Sequence, residues 1–423
     1  MSPCWRCSSK LISALVLSLS FLASYSSAQQ ESDEVKGAPA EPADAAEVRR
    51  EIAAVEKLES VVPDRGAALY FLSIAKQHLG ETLDALKLLK ECLALREGFD
   101  PSGDHAFAGM KDTKEFQDLV ESVHRDFPVV AQARIAFETR EKDVVPEGLA
   151  YNPHEKVFYL SSLNLRKIVK IDPESESGRF SDFVAAGVYH LLPVLGIRVD
   201  PTDSSIWANS FAERGQAELL HFTASGQLLG RYAPEDSEKH GFNDLVIRKN
   251  GEVILTDSLS GQVYRFDRAT HAFASLRLYR ELSYPNGIAL ADDDRQLFVA
   301  DALGVVRCDL QTDASADVNP GPRSTLAGID GLYWHRGGLL AIQNGIGSPR
   351  VAAFRLSSDG LRVTKTTVLE NRSPLVALPT TGAIKGNDFY FITNSQIDNL
   401  NDDKVLDPTR LERIRIAMVH LPW

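Results

Sequence analysis

Four polar residues occupy the same point of four similar sequence segments. They are Glu147, Asn243, Asn286 and Asp330, within the sequences Pro-Glu-Gly, Phe-Asn-Asp, Pro-Asn-Gly and Ile-Asp-Gly. Together they provide two carboxylates and two amide carbonyls, which are hard oxygen donors. Such donors suit Ca²⁺, whereas zinc usually takes nitrogen or sulfur ligands. The pattern therefore predicts a calcium site, and another divalent cation is the alternative occupant.

Turn chemistry is the competing interpretation of these residues. Asn-Gly, Asn-Asp and Asp-Gly are common turn dipeptides, and a turn explains any one of them taken alone. Four at equivalent positions of separate segments are harder to explain in this way, so we favour the metal site.

The four segments belong to a longer repeat. Each begins a short apolar strand, which is followed by a turn and a second apolar strand with Asp, Asn or Ser near its end. With two weaker copies, the equivalent positions are 148, 196, 244, 287, 331 and 382, spaced 43 to 51 residues apart. This period predicts a mainly β fold, a six-bladed β-propeller with one four-stranded sheet per blade. Equivalent residues at the starts of the innermost strands would then face one another across the central channel.

The propeller ring needs a closing device, because an open ring leaves unpaired strand edges. The strand at 133–138 precedes the first blade and has no partner there. The C-terminal run at 414–419 would be its complement. We predict that both strands join the last blade of a propeller domain spanning residues 129–423.

Residues 45–128 have helical periodicity and predict a small α-helical region before the propeller. The expected helices cover 48–58, 66–79, 82–95 and 113–127. The segment 68–101 resembles a single tetratricopeptide repeat, with Gly80 at the turn between its helices. One repeat cannot bury its own apolar face, so it must pack on neighbouring helices or on the propeller. A plain helical cap is the preferred interpretation, and a groove for a protein partner is the alternative.

Residues 1–28 have the features of an export signal. Arg6 and Lys10 precede an apolar run at 11–22, and Ser26-Ser27-Ala28 supplies small residues for cleavage. The run is short for a membrane span, so we expect cleavage near Ala28 and release to the periplasm or the exterior. An uncleaved anchor is the alternative. Residues 29–44 are expected to be a flexible linker.

Composition limits the remaining function classes. The net charge of −12 opposes binding to nucleic acid, whose phosphates repel an acidic surface. No later segment is apolar enough to span a membrane. After signal removal only Cys92 and Cys308 remain, which indicates free buried thiols and not a disulfide framework.

The segments around the four polar residues resemble the regucalcin/gluconolactonase family, which is related to diisopropyl fluorophosphatase and paraoxonase. They read PEGLAY, FNDLVIRKNGEVILTD, YPNGIALADDDRQLFVAD and IDGLYW. The resemblance covers roughly residues 130–423. It implies a six-bladed propeller that holds a divalent ion, usually calcium, and hydrolyses lactones or, in some branches, phosphoesters.

The resemblance also implies residue roles. Glu147, Asn286 and Asp330 would be metal ligands, and Asn243 would be a ligand or a substrate contact. Asp330 would be the catalytic base or nucleophile, while the metal polarises the carbonyl. His190 and His240 lie close in sequence to the channel entry and are candidate substrate contacts or a substitute base. Two exposed loop histidines are the alternative, and it is the preferred interpretation.

Two positions depart from the family pattern. Gly241 stands where sugar lactonases tend to carry Arg, and Leu195 stands where paraoxonases carry His.

Two functions therefore remain. The first is an exported calcium-dependent hydrolase that opens a small-molecule lactone or related ester. The second is a non-catalytic binding or scaffold protein, with a structural calcium and a helical cap that docks a protein partner.

Overall fold

The computed structural model describes residues 45–59, 61–175, 179–212, 215–401 and 404–423. The export signal and linker predicted for residues 1–44 lie outside the described residues. Of the helices in the described ranges, none is long and apolar enough to cross a membrane.

Short, largely buried strands build six sheets around a central axis, as predicted. Two strands precede the first blade: β1 (Val130–Ala131) and β2 (Arg134–Glu138). Blade one contains β3 (Leu149–Asn152), β4 (Val157–Ser161), β5 (Ile168–Ile171) and β6 (Phe180–Val184). Blade two contains β7 (Val194–Val199), β8 (Ile206–Ala212), β9 (Gln216–Phe222) and β10 (Leu228–Tyr232). Blade three contains β11 (Phe242–Ile247), β12 (Val253–Asp257), β13 (Gln262–Asp267) and β14 (Ala272–Ser275).

The remaining blades follow the same order. Blade four contains β15 (Ile288–Leu290), β16 (Gln296–Asp301), β17 (Gly304–Asp309) and β18 (Ser315–Asp317). Blade five contains β19 (Ile329–His335), β20 (Gly338–Gln343), β21 (Arg350–Leu356) and β22 (Val363–Asn371). Blade six contains β23 (Gly382–Lys385), β24 (Asp388–Ile392) and β27 (Arg415–His420), with a two-stranded excursion, β25 (Leu400–Asn401) and β26 (Lys404–Val405).

Strands from both ends of the described chain close the ring. β2 pairs with β27, and Ile135 lies opposite Ala417. This makes β2 the outer strand of blade six, as predicted. β1 is an addition to the prediction, because it pairs with β22 and extends blade five to five strands.

Glycines in the repeat let neighbouring inner strands approach closely. A Cβ atom at Gly148 would collide with the carbonyl oxygen of Leu195 in the next blade. A Cβ atom at Gly287 would collide in the same way with the carbonyl oxygen of Asp330. Only glycine fits at such contacts. The close approach brings the polar residue that precedes each glycine towards the corresponding residue of the next blade.

Apolar side chains between adjacent blades form the core. Tyr159 and Ile168 of blade one pack with Ile206 and Phe222 of blade two, for example. Between blades four and five, the rings of Phe298 and Trp334 stack with centroids 5.5 Å apart. These contacts hold the inner strands in register around the channel. Cys92 and Cys308 are buried free thiols, as predicted.

The helical region contains α1 (Ala45–Glu59), α2 (Arg65–His78), α3 (Thr82–Ala94) and α4 (Lys114–Asp126). Short 3₁₀ turns at Pro101–Gly103 and His105–Met110 separate α3 from α4. Between α2 and α3, Gly80 has a φ of 75°, a conformation that favours glycine. The likeness of this pair to a tetratricopeptide repeat stays a prediction.

The helices pack as a cap on the loops of blades four and five. Their apolar cluster, which includes Tyr70 and Phe107, also contains Leu303, Ala327 and Ile346 of the propeller. Backbone bonds reinforce the contact, because Asp100 accepts from the N–H of Ser348 and donates to the carbonyl of Ile346, both at 3.0 Å.

A buried carboxylate adds a further link between cap and propeller. Asp64 caps α2 by accepting from the N–H of Ala67, and it also accepts from Thr325 Oγ1 at 2.6 Å and from the N–H of Leu326 at 2.9 Å. The propeller loops that the cap contacts either precede an inner strand or connect the second and third strands of a blade. The cap therefore lies on the face of the propeller where the inner strands begin.

Candidate functional site

The four polar residues predicted as ligands lie at one end of the channel. Asn243 is in β11 and Asp330 is in β19, while Glu147 and Asn286 each precede the inner strand of their blade by two residues. The exposed fractions of Glu147, Asn243 and Asp330 are 5%, 4% and 8%. Because each inner strand is the first of its blade and runs in the same direction, the four side chains share the face on which the cap sits.

Each of the four side chains keeps one buried oxygen without a hydrogen-bond partner. These atoms are Glu147 Oε2, Asn243 Oδ1, Asn286 Oδ1 and Asp330 Oδ1. Other buried polar atoms of the described residues also lack partners, but these four occupy equivalent positions in four blades. A buried oxygen without a donor is costly. Four such oxygens at one channel end are the donors that a bound cation would require, so the residues fit the predicted metal.

The two carboxylates of the site also favour a bound cation. Burial raises the pKa of Glu147 well above its usual range, and the negative charges of Asp330 and Asp244 add to the effect. Burial also raises the pKa of Asp330 to about 7. Two carboxylates forced together in a buried site favour a cation between them.

The donor set restricts which metal could bind. Across the described ranges, no group of three or more His, Cys, Asp or Glu side chains could hold a metal ion. The predicted site would use the amide oxygens of Asn243 and Asn286 beside the carboxylates of Glu147 and Asp330. Calcium accepts such mixed oxygen ligands, and structural zinc does not.

A residue with a left-handed backbone precedes three of the four side chains. The residue two positions before Glu147, Asn286 and Asp330 has a left-handed backbone, with φ of 41° at Val145, 54° at Tyr284 and 60° at Gly328. A β-branched residue such as Val145 is a genuine outlier at this φ. Backbone strain of this kind persists where the surroundings over-determine it, and it clusters at functional sites.

A hydrogen-bond chain fixes the orientation of Asn243. The hydroxyl of Ser258 donates to the carbonyl of Pro285 at 2.7 Å, so its oxygen is free to accept from Asn243 Nδ2 at 3.1 Å. With Nδ2 engaged there, Asn243 Oδ1 is the atom that remains unpaired. The same chain links the third blade to the turn that carries Asn286.

Asn344, the polar residue that follows the second strand of blade five, also contacts the site. Its Nδ2 donates to Asp330 Oδ2 at 2.6 Å and to the carbonyl of Pro379 at 2.9 Å. This contact occupies one oxygen of Asp330 and leaves Oδ1 unpaired. The available signal was the polar residue at the end of each second strand, which the prediction did not connect with the site.

A third acid and an arginine were also missed. Asp244 is 1% exposed, and its Oδ2 lies 2.7 Å from Nη2 of Arg198 on β7. Asp244 stands where the other five repeats have glycine, and Arg198 interrupts an apolar inner strand. Both irregularities were visible in the sequence.

The two histidines predicted near the channel entry differ in setting. His190 is exposed at the end of the 3₁₀ turn Val188–His190. His240 is 5% exposed, so the exposed-loop alternative was wrong for this residue. Its Nδ1 lies 2.6 Å from Asp257 and its Nε2 lies 2.9 Å from Asp236. The hydrogen bond to Asp257 is the main reason that the pKa of His240 rises to about 9. A doubly donating imidazolium has no nitrogen left to act as a base, and a substrate contact by either histidine stays a prediction.

We expect His240 to make the stability of the protein depend on pH. Its pKa is higher in the folded chain than the usual value of 6.5, so its stabilising contribution is complete below about pH 6.5 and disappears as the pH rises through about 9. The pH-dependent part should be about 2 kcal/mol, since each pKa unit is about 1.4 kcal/mol and solvent screens the contact with the half-exposed Asp236. Urea unfolding of wild type and His240→Gln at pH 6 and pH 9.5 would measure it.

A matched control for this prediction is His420→Gln. His420 lies 2.9 Å from Asp388, but its side chain is 72% exposed, and exposed pairs contribute little. An equal stability difference between wild type and His240→Gln at both pH values would contradict the prediction.

Comparisons with known proteins give only distant likenesses. A gluconolactonase from Xanthomonas campestris is 18% identical over 70% of this chain and 91% of that chain, with a TM-score of 0.47. A virginiamycin B lyase from Staphylococcus aureus is 16% identical over 62% of this chain and 80% of that chain, with a TM-score of 0.45. No family model matches the chain, and no curated protein matches it. Identities and scores at this level do not decide the activity of this protein.

Proposed function

We propose that the protein is a calcium-dependent hydrolase that opens a lactone or a related ester. One observation carries the proposal: four side chains at equivalent positions each direct an unpaired, buried oxygen to one end of the channel. Glu147, Asn243, Asn286 and Asp330 would hold the cation. When bound, a divalent cation there would polarise the carbonyl oxygen of the substrate.

Asp330 is the proposed catalytic residue. Asn344 engages its Oδ2, and its Oδ1, the oxygen assigned to the cation, has a second lone pair that could accept a proton from water or attack the carbonyl carbon directly. In the first case, water adds to the carbonyl carbon, and the ring C–O bond then breaks. The proton taken by Asp330 passes to the leaving alkoxide, and the product is a hydroxy acid. In the second case, the ring C–O bond breaks as Asp330 forms a mixed anhydride with the acyl group, and one water then supplies a proton to the alkoxide and a hydroxyl to the acyl carbon, which releases Asp330 and the same hydroxy acid.

Other chain residues would recognise the substrate and set the location of the enzyme. Asn243, His240 and His190 are the proposed substrate contacts, and the engaged nitrogens of His240 restrict it to donating or positioning. The features of residues 1–28 support export, with the enzyme acting in the periplasm or outside the cell.

A binding or scaffold protein is the second candidate. The observation in its favour is the cap, which fixes four helices on the face where a substrate would enter. In that case the calcium would be structural, and the cap would dock a protein partner.

A panel of lactones separates the two candidates. The purified protein is mixed with lactones of several ring sizes, and with simple aryl esters, in buffer containing calcium or a chelator. We expect turnover of at least one lactone, and loss of that turnover in the chelator. If the folded protein binds calcium but hydrolyses none of the compounds, the hydrolase proposal is wrong and the scaffold is favoured.

A further inference from the structure

The buried Asp244 forms an ion pair with the partly buried Arg198 beside the predicted metal ligands. The pair joins β7 to β11, with Nη2 of Arg198 2.7 Å from Oδ2 of Asp244. Nη1 of Arg198 donates to the carbonyl of Ile197 at 2.9 Å, and the guanidinium lies 5.6 Å from the centre of the Tyr333 ring. The guanidinium is therefore held in one place by three contacts.

The charges of the ion pair act on the predicted metal ligands. The negative charge of Asp244 acts on both Glu147 and Asp330, and the positive charge of Arg198 acts on Glu147. Asn243 and Asn286 are neutral. With its three carboxylates ionised around a bound cation, and with one guanidinium, the centre would have a net charge of −2. Blade two has Leu195 at the ligand position, so Arg198 is its charged contribution to the centre.

We propose that Arg198 is a built-in counter-ion that holds the centre at −2 and thereby selects a divalent over a trivalent cation. This inference rests on the proposed metal site. Arg198 would touch neither substrate nor metal, so it is a positioning and selectivity residue and not a catalytic one.

The change in net charge predicts opposite shifts in the affinity for terbium(III) relative to calcium for two single variants. A nearby charge acts on a bound ion in proportion to the charge of that ion. Arg198→Met changes the centre to −3 and should raise the affinity for terbium(III) relative to calcium about tenfold, which is about 1.4 kcal/mol. Asp244→Asn changes the centre to −1 and should lower the same ratio about tenfold. The double variant returns the centre to −2, and its ratio should match wild type.

The measurement is a titration of the full purified chain with calcium alone and with terbium alone, by calorimetry and by terbium luminescence. Arg198→Lys, which keeps the charge, should retain the wild-type ratio. Arg268→Met is a matched control, because Arg268 pairs with the buried Asp200 at 2.6 Å and is not among the charges that act on Glu147 or Asp330. Its ratio should also equal that of wild type.

The outcomes separate this inference from the proposed function. Opposite shifts in the two single variants, with recovery in the double variant, support the counter-ion role, and a purely structural role would not produce them. Arg198→Met leaves Asp244 buried and unpaired; if it does not fold, Asp244→Asn and the double variant still decide the question. Calcium binding with an equal ratio in all folded variants overturns the inference alone. A wild-type chain that binds neither ion overturns the metal site itself.

Discussion

Asp330→Asn is expected to lower kcat/KM for lactone hydrolysis by about a thousandfold or more. The amide keeps the size of the side chain and can still accept at one position. It cannot take a proton or attack a carbonyl, and it brings no charge to the cation. The measurement is kcat/KM on the best lactone of the panel, at saturating calcium.

Two further variants test whether the loss of kcat/KM is specific to the carboxylate of Asp330. Asp313→Asn is the matched control, because Asp313 has a side chain that is 62% exposed and an ion pair of 3.6 Å to Arg265. It should leave kcat/KM unchanged. Asn344→Ala removes the donor that holds Asp330 Oδ2 and should reduce kcat less than Asp330→Asn does. Full activity of Asp330→Asn would exclude Asp330 as base or nucleophile.

Removal of divalent cations is expected to lower the Tm of the wild-type protein by about 5–10 °C. A ligand present at one hundred times its Kd stabilises the folded state by about 2.7 kcal/mol, and one kcal/mol corresponds to about 2–4 °C in a domain of moderate size. The physical source is the like charge of Glu147 and Asp330, which are buried together. Calorimetric scans with calcium and with a chelator would measure the shift.

Calcium is also expected to change which of wild type and Asp330→Asn is the more stable. In chelator, Asp330→Asn should be at least as stable as wild type, because it removes one of the two repelling carboxylates. With calcium it should be less stable than wild type, since it loses a ligand. A variant that is equally destabilised under both conditions would show that Asp330 acts through packing and not through charge.

The repeat made the fold predictable, because its evidence is local and recurs. The glycines at 148 and 287 fall at one register, and the structure gives the reason, since a Cβ atom there would meet the next inner strand. Closure through β2 followed from an unpaired strand at each end. The four polar residues were likewise found from their position in the repeat.

The missed contacts depend on which strands and loops are neighbours in space. The Arg198–Asp244 pair joins two blades through residues 46 positions apart, and Asn344 follows the strand that pairs with the one carrying Asp330. The hydrogen bonds of His240 depend on the carboxylates of Asp236 and Asp257 on either side of it. Periodicity also left open which face the helices cover, since that depends on contacts such as Asp64 with Thr325.

The loop that follows β20 has two attachments only a few residues apart. Asn344 at its start holds Asp330, while Ile346 and Ser348 are bonded to the backbone of Asp100 in the cap. A propeller transplanted without its helices would retain all four oxygen-donating side chains and lose the anchor of the loop that steadies one of them. The cap and the loop that supports Asp330 therefore depend on each other, and a chimaera should exchange them together.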